Sequence, residues 1–163
     1  MRKFSVLPFV VGLLTSVSVY ADTSAYKLVK EKSTLTFYAI NNNAPVAGEF
    51  KDFSADIKFN PDKPEESKIS VEVATTSVAA AYGELVENLL SKDWLNAVEF
   101  PKAIFSSEKI SRMPNSNNYY AEGTLKLRGN TVPVVLNFQL QFAGEKDAIA
   151  KGAATLHRND FGI

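Results

Sequence analysis

"GTLKLRGNTVPVVLNFQLQF", residues 123–142, turns back on itself with almost every second residue apolar. Its first arm sets Gly123, Leu125 and Leu127 against Thr124, Lys126 and Arg128. Its second sets Val134, Leu136, Phe138, Leu140 and Phe142 against Val135, Asn137, Gln139 and Gln141. A period of two belongs to strands. Gly129 and Asn130, between the arms, predict a two-residue hairpin loop of residues that tolerate positive φ. The second arm's five alternate side chains, at about 1.5–3 kcal/mol each when buried, amount to on the order of 10 kcal/mol on one face. Another sheet, a helix or a ligand must therefore cover that face.

The same alternation spreads outward from the hairpin. "STLTFYAI" (33–40) predicts a strand with Leu35, Phe37 and Ala39 in phase. In "VAGEFKDFSADIKF" (46–59) the apolar phase runs Val46, Gly48, Phe50 and then flips to Phe53, Ala55, Ile57, Phe59, the mark of a bulge or sharp bend at Lys51-Asp52. "KISVEVATTSV" (68–78) aligns Ile69, Val71 and Val73; "KAIFSSEKI" (102–110) aligns Ala103, Phe105 and Ser107. "AIAKGAATLHR" (148–158) reads as a closing strand whose small residues Ala148, Ala150, Gly152 and Ala154 share a face with Leu156. Only "AAAYGELVENLL" changes period, and it predicts one helix from about 80 to 91. Seven or so antiparallel strands and one inserted helix indicate a sandwich or a closed barrel. Glycine and alanine on the inward phase leave room for an apolar cavity; a filled core or bulge-site glycines would produce the same composition.

Composition narrows the classes. "MRKFSVLPFVVGLLTSVSVYADTS" has Arg2 and Lys3, an apolar run and small residues before Asp22, the layout of a cleaved secretory leader over residues 1–21. The run is shorter than the roughly 20 residues a membrane span needs. The expected localisation is the bacterial periplasm, with residues 22–163 as one domain. Without Arg2 and Lys3, the 18 basic residues fall to 16 against 18 acidic, a formal charge of −2, which recruits neither nucleic acid nor an anionic membrane surface. The absence of cysteine removes disulfides, thiol catalysis and cysteine-ligated metals. One histidine, His157, sits in the polar phase of its strand; no zinc ligand set, serine elbow or kinase loop accompanies it. No catalytic or metal-binding residue is expected, and no cofactor.

"VAGEFKDFSADIKF", "FPKAIFSSEKI", "YYAEGTLKLRGNTVPVVLNF" and "RNDFGI", in this order, closely resemble the YceI-like family of exported proteins. The most telling pieces are Gly48-Glu49-Phe50 with Phe53, Phe100-Pro101 followed by Phe105-Ser106-Ser107, Gly123-x-Leu125-x-Leu127-x-Gly129, and Arg158-Asn159-Asp160-Phe161-Gly162. The resemblance implies an all-β fold, an extended antiparallel lipocalin-like barrel with one short inserted helix. It also implies a lumen that holds an isoprenoid lipid, such as an isoprenoid quinone or polyprenyl phosphate, and makes a homodimer plausible. Two departures stand out. Where the family places charged residues and a histidine near the first strands and the helix, this chain has Asn41, Asn42 and Glu84. The sequence also stops at Ile163, where members of the family continue into a final strand. The expected barrel therefore lacks its closing strand and has two unpaired edges.

The lumen lining expected from inward phase comprises Leu35 and Phe37, Phe50 and Phe59, Val71 and Val73, and Phe105. It continues through Leu125 and Leu127, then Leu136, Phe138 and Leu140, and ends at Leu156. Each of these could equally be ordinary core. Trp94 either anchors the helix or meets ligand at the mouth; Arg158 either pairs with Asp160 or meets a phosphate headgroup. The leading expectation is a non-enzymatic periplasmic carrier for a long-chain isoprenoid lipid. A stress-response or protein-interaction module without lipid cargo is the alternative.

Overall fold

The computed structural model describes residues 9–13, 24–41, 44–143 and 147–163. Among them, eleven strands form one antiparallel sheet. In chain order they are β1 (Phe9–Leu13), β2 (Ser24–Lys27), β3 (Val29–Asn41), β4 (Ala44–Phe50), β5 (Phe53–Phe59), β6 (Lys68–Ala74), β7 (Val78–Ala80), β8 (Lys102–Arg112), β9 (Asn118–Leu127), β10 (Asn130–Ala143) and β11 (Asp147–Ala153). One helix, α1 (Gly83–Leu90), follows β7, and a 3-10 turn covers Arg158–Phe161.

Several of these strands are halves of longer runs. Leu28 alone separates β2 from β3, and Lys51-Asp52 separates β4 from β5. Ser24 pairs with Phe59 and Asn41 with Ala44, so these four strands make one long hairpin folded over a corner. The corner is the phase flip read at Lys51-Asp52. It takes backbone groups out of the ladder, and local bonds satisfy them. Lys51 N–H donates to the Ser77 carbonyl at 3.0 Å, Asp52 N–H to Ser77 Oγ at 3.0 Å, and Ala74 N–H to the Asp52 carbonyl at 3.0 Å.

The remaining ladders run β5–β6–β8–β9–β10–β11. Alone they form a strongly curled half-barrel with a gap between β11 and β3. Among the described residues no strand follows β11. Residues 9–13, from within the expected leader, lie in that gap. β1 pairs with β11 from Phe9↔Gly152 to Leu13↔Ala148 and with β3 through Phe9↔Leu35, Val10↔Thr34 and Gly12↔Val29. The ring of ladders is therefore completed from the other end of the chain.

Four sequence expectations need correction. The hairpin loop is Arg128-Gly129, one residue earlier than read, because Leu127 pairs with Asn130; φ is +49° at Arg128 and +79° at Gly129. The strand read from residue 33 begins at Val29 as β3 and is preceded by β2 from Ser24, whose Tyr26 is buried. The helix begins at Gly83, because residues 78–80 pair with β4 as β7. The last strand ends at Ala153, which leaves Leu156 outside the ladder.

Close backbone approach explains Gly123. A Cβ there would lie 2.2 Å from the Ser106 carbonyl oxygen and 2.8 Å from Ser107 Cα, beside the register shift between Ser107 and Lys109. Neither backbone atom can yield without moving β8. Gly83, at the start of α1, has nothing within 4 Å of where a Cβ would stand. Gly123→Val should therefore lower the urea unfolding free energy by about 1–3 kcal/mol, whereas Gly83→Ala should raise it by about 0.5–1 kcal/mol.

Candidate functional site: the barrel interior

Registers place the inward-facing side chains in rows around the barrel. Ala55, Val71, Phe105, Leu125 and Val132 are successive cross-strand partners from β5 to β10. Phe53, Val73 and Ala103 make the adjacent row. These rows lie near the end that carries the Arg128-Gly129 turn. Toward the other end, Tyr119 pairs with Arg112 and Phe138, and Phe138 with Gly152.

The two ends are packed differently. Far from the turn, Phe59, Tyr119 and Phe138 form an aromatic cluster: Tyr119 stacks on Phe138 with centroids 5.4 Å apart, and Phe59 meets Tyr119 edge-on at 5.2 Å. Phe59, Ile110, Tyr119, Ala121, Leu140, Ala148 and Ala150 are all at most 1 % exposed. The interior is sealed there. Nearer the turn, Val71 and Val73 are 8 % and Phe105 9 % exposed, and Leu125, Leu127 and Val132 are only half-buried. Phe37 and Phe50, beyond the corner, are also half-buried, with ring centroids 5.5 Å apart. Among the described residues, partly accessible apolar side chains of the inward phase thus gather mainly toward the turn, with Phe142 exposed at the far end of β10.

Two segments fold over that end. Arg128 donates through Nη2 to the Lys92 carbonyl at 2.6 Å and through Nη1 to the Gly162 carbonyl. Asn130 Nδ2 donates to the Phe161 carbonyl at 3.0 Å. These bonds fix residues 158–163 against the hairpin, with Phe161 buried in the core. They also hold Arg128 in its positive-φ conformation, which a non-glycine residue adopts only when its surroundings impose it. At the rim, the Arg158 guanidinium stands over the Trp94 ring at 5.7 Å.

The expected lining residues therefore divide. Leu35, Phe59, Phe138 and Leu140 are sealed core; Val71, Val73 and Phe105 are almost buried; Phe37, Phe50, Leu125, Leu127 and Leu136 remain partly accessible. Leu156 is 42 % exposed past the end of β11 and does not share the inward face. Phe142, read in the inward phase, is 41 % exposed near the end of β10. Arg158 meets Trp94, and among the described residues no ion pair joins it to Asp160. Tyr119 was missed, although Tyr119, Ala121, Gly123 and Leu125 share one period-two phase. The inward glycine at Gly48 does not mark a void, because a Cβ there would lie 2.6 Å from Phe37 Cζ, where the phenyl ring fills the space. His157 is exposed, and among the described residues no group of three or more His, Cys, Asp or Glu side chains could hold a metal ion.

This curled sheet with an apolar interior meets its relatives in both sequence and shape. Residues 26–163 match the family model described as the YceI-like domain. The chain belongs to the YceI-like family. A UPF0312 protein of Pseudomonas savastanoi pv. phaseolicola is 36% identical over 125 residues, 72% of this chain and 64% of that protein. The match thus spans less than two thirds of that relative's length. Among solved structures, Burkholderia cenocepacia BcnA superposes with a TM-score of 0.77 at 25% identity, over 87% of this chain and 85% of that one. The Campylobacter jejuni YCEI protein superposes with a TM-score of 0.56 at 26% identity, over 81% and 67%. The YceI-like fold is therefore shared at the level of the whole curled sheet.

The aromatic cluster has a titratable member. Burial pushes the Tyr119 hydroxyl above its ordinary value of 10.0, partly offset by the nearby Arg112 guanidinium. The unfolded chain therefore ionises this tyrosine first. Its contribution to stability is complete below about pH 10 and is lost as pH rises through the folded-state value. Urea titrations between pH 9 and pH 11 should show a steeper loss of stability for the native protein than for Tyr119→Phe. Equal slopes would place the alkaline sensitivity elsewhere.

Proposed function

We propose that this chain is an exported, non-enzymatic binding protein for a long-chain isoprenoid lipid, an isoprenoid quinone or a polyprenyl phosphate. The observation that carries the proposal is the exposure gradient along the barrel. Aromatic and aliphatic side chains seal one end, while inward-facing Leu125, Leu127, Phe37 and Phe50 stay partly accessible at the other. A tail entering among them gains about 0.8 kcal/mol per buried methylene before the cost of ordering the chain. Non-directional contacts suffice for such a tail, so the absence of a conspicuous polar constellation is compatible with binding. Arg158, held over Trp94 at the rim, offers a cation to an anionic headgroup. Family membership over residues 26–163 supports the same reading. The leader-like composition of residues 1–21 supports export to the periplasm. Among the described residues, no helix is long and apolar enough to cross a membrane.

Mass spectrometry of an organic extract, from protein purified out of a bacterial periplasm without detergent, should reveal a stoichiometric polyprenyl species. Leu125→Asp, which puts a charge among the accessible apolar residues, should reduce the lipid recovered per folded protein at least tenfold. A folded native protein that carries no lipid, and acquires none from isoprenoid-containing vesicles, would overturn the proposal.

A further inference from the structure

We propose that residues 81–101 are a hinged lid over the turn end of the barrel, and that Arg128 is the latch that positions it. The inference rests on the lipid-binding reading and adds the route by which a tail enters and leaves.

The segment spans the rim. It leaves β7, which pairs with β4 through Phe50↔Val78 and Gly48↔Ala80, and it ends where β8 begins at Lys102, opposite Ala74 of β6. Between those points it reaches the β9–β10 turn. There a Cβ on Gly129 would stand 2.9 Å from the Phe100 ring, and the Lys92 carbonyl accepts from Arg128. Its contacts thus surround the end at which Phe50, Leu125, Leu127 and Val132 are half-buried.

Within itself the segment is well bonded. After α1, Leu95 N–H donates to the Leu89 carbonyl at 3.0 Å, Ala97 N–H to the Leu90 carbonyl at 3.1 Å and Asn96 N–H to the Ser91 carbonyl at 2.8 Å. Leu89, Leu95 and Ala97 are buried, yet none belongs to the apolar cluster that fills the barrel. The helix and the turns after it therefore form a small unit that can move without opening the core. Among the described residues, no main-chain hydrogen bond and no ion pair joins 83–99 to the strands. Two joints flank the unit. Ala81, Tyr82 and Gly83 are exposed at one. At the other, Thr75 fixes the chain, its Oγ1 donating to the Phe100 carbonyl at 2.7 Å and its N–H to the Pro101 carbonyl at 3.0 Å. The middle is held down by the 2.6 Å bond from Arg128 to the Lys92 carbonyl, seconded by Arg158 over the Trp94 ring. Lids turn on a few such residues at the ends of elements, and two side-chain contacts oppose opening only modestly.

Trp94 is the only tryptophan and lies in the lid, so its fluorescence reports the lid's position. Arg128→Gly removes the guanidinium and suits the positive φ at that position. Acrylamide quenching of Trp94 should rise severalfold in this variant, while the Leu95 and Ala97 amides exchange hydrogen as slowly as in the native protein. A two-isoprene ubiquinone, the probe, should enter and leave roughly tenfold faster at nearly unchanged Kd, the signature of a gate rather than of a damaged site. Bridging Lys92→Cys to Arg158→Cys with a bis-maleimide, in a chain with no other cysteine, should slow both rates at least tenfold against the unbridged variant. That arm decides alone if Arg128→Gly does not fold. The lid is overturned if quenching and probe rates are the same in native, Arg128→Gly and bridged proteins. Loss of protection at Leu95 and Ala97 in Arg128→Gly overturns it too, since the segment then melts rather than swings. A probe that binds every form at equal rates overturns the lid alone, and a probe that binds none overturns it together with the lipid reading.

Discussion

Everything in this molecule depends on the continuity of backbone pairing around the ring. A β-sheet curled far enough to enclose a core must either meet itself or leave two rows of unsatisfied N–H and C=O groups. From β2 to β11 most neighbours follow from a short connection or a bend in a longer strand, while β6 and β8 are joined across residues 75–101, which hold β7 and α1. The last junction, between β11 and β3, has no such local solution. It joins segments about 110 residues apart in sequence, and residues 9–13 bridge it with a good ladder on one side and a poor one on the other.

Within that ring, side-chain size divides the interior. Phe59, Tyr119 and Phe138 meet in edge-on and stacked contacts and are themselves almost wholly buried. Toward the Arg128-Gly129 turn, leucines and valines line the wall and remain partly exposed. The proposed lipid tail would be sheltered here without disturbing the cluster that supports the fold.

The alternation in residues 123–142 made the strands legible, and the phase flip at Lys51-Asp52 located the corner, because both follow from the two-residue repeat of the pleat. The hairpin loop was placed one residue late for an equally physical reason. Asn130 is a good turn residue and arginine a poor one, yet Arg128 takes the positive φ because its guanidinium bonds to carbonyls at Lys92 and Gly162, contacts no local pattern displays. Leu156 kept the strand's phase in the sequence, but β11 ends three residues earlier and phase has no meaning outside a ladder. The division between sealed and accessible lining was not legible at all. Leu125 and Leu140 have the same chemistry and the same inward phase, and only their distance from the aromatic cluster separates them.

The Arg128 guanidinium has a consequence for the order of assembly. Its acceptors lie 36 and 34 residues away on either side, and the buried Phe161 lies beside one of them. Residues 158–163 are therefore needed before this end of the barrel can be completed. A chain emerging from its N terminus must hold this end of the sheet open until those residues have been made. Contacts between remote segments slow folding, and here they tie closure of this end of the barrel to the arrival of residues 158–163.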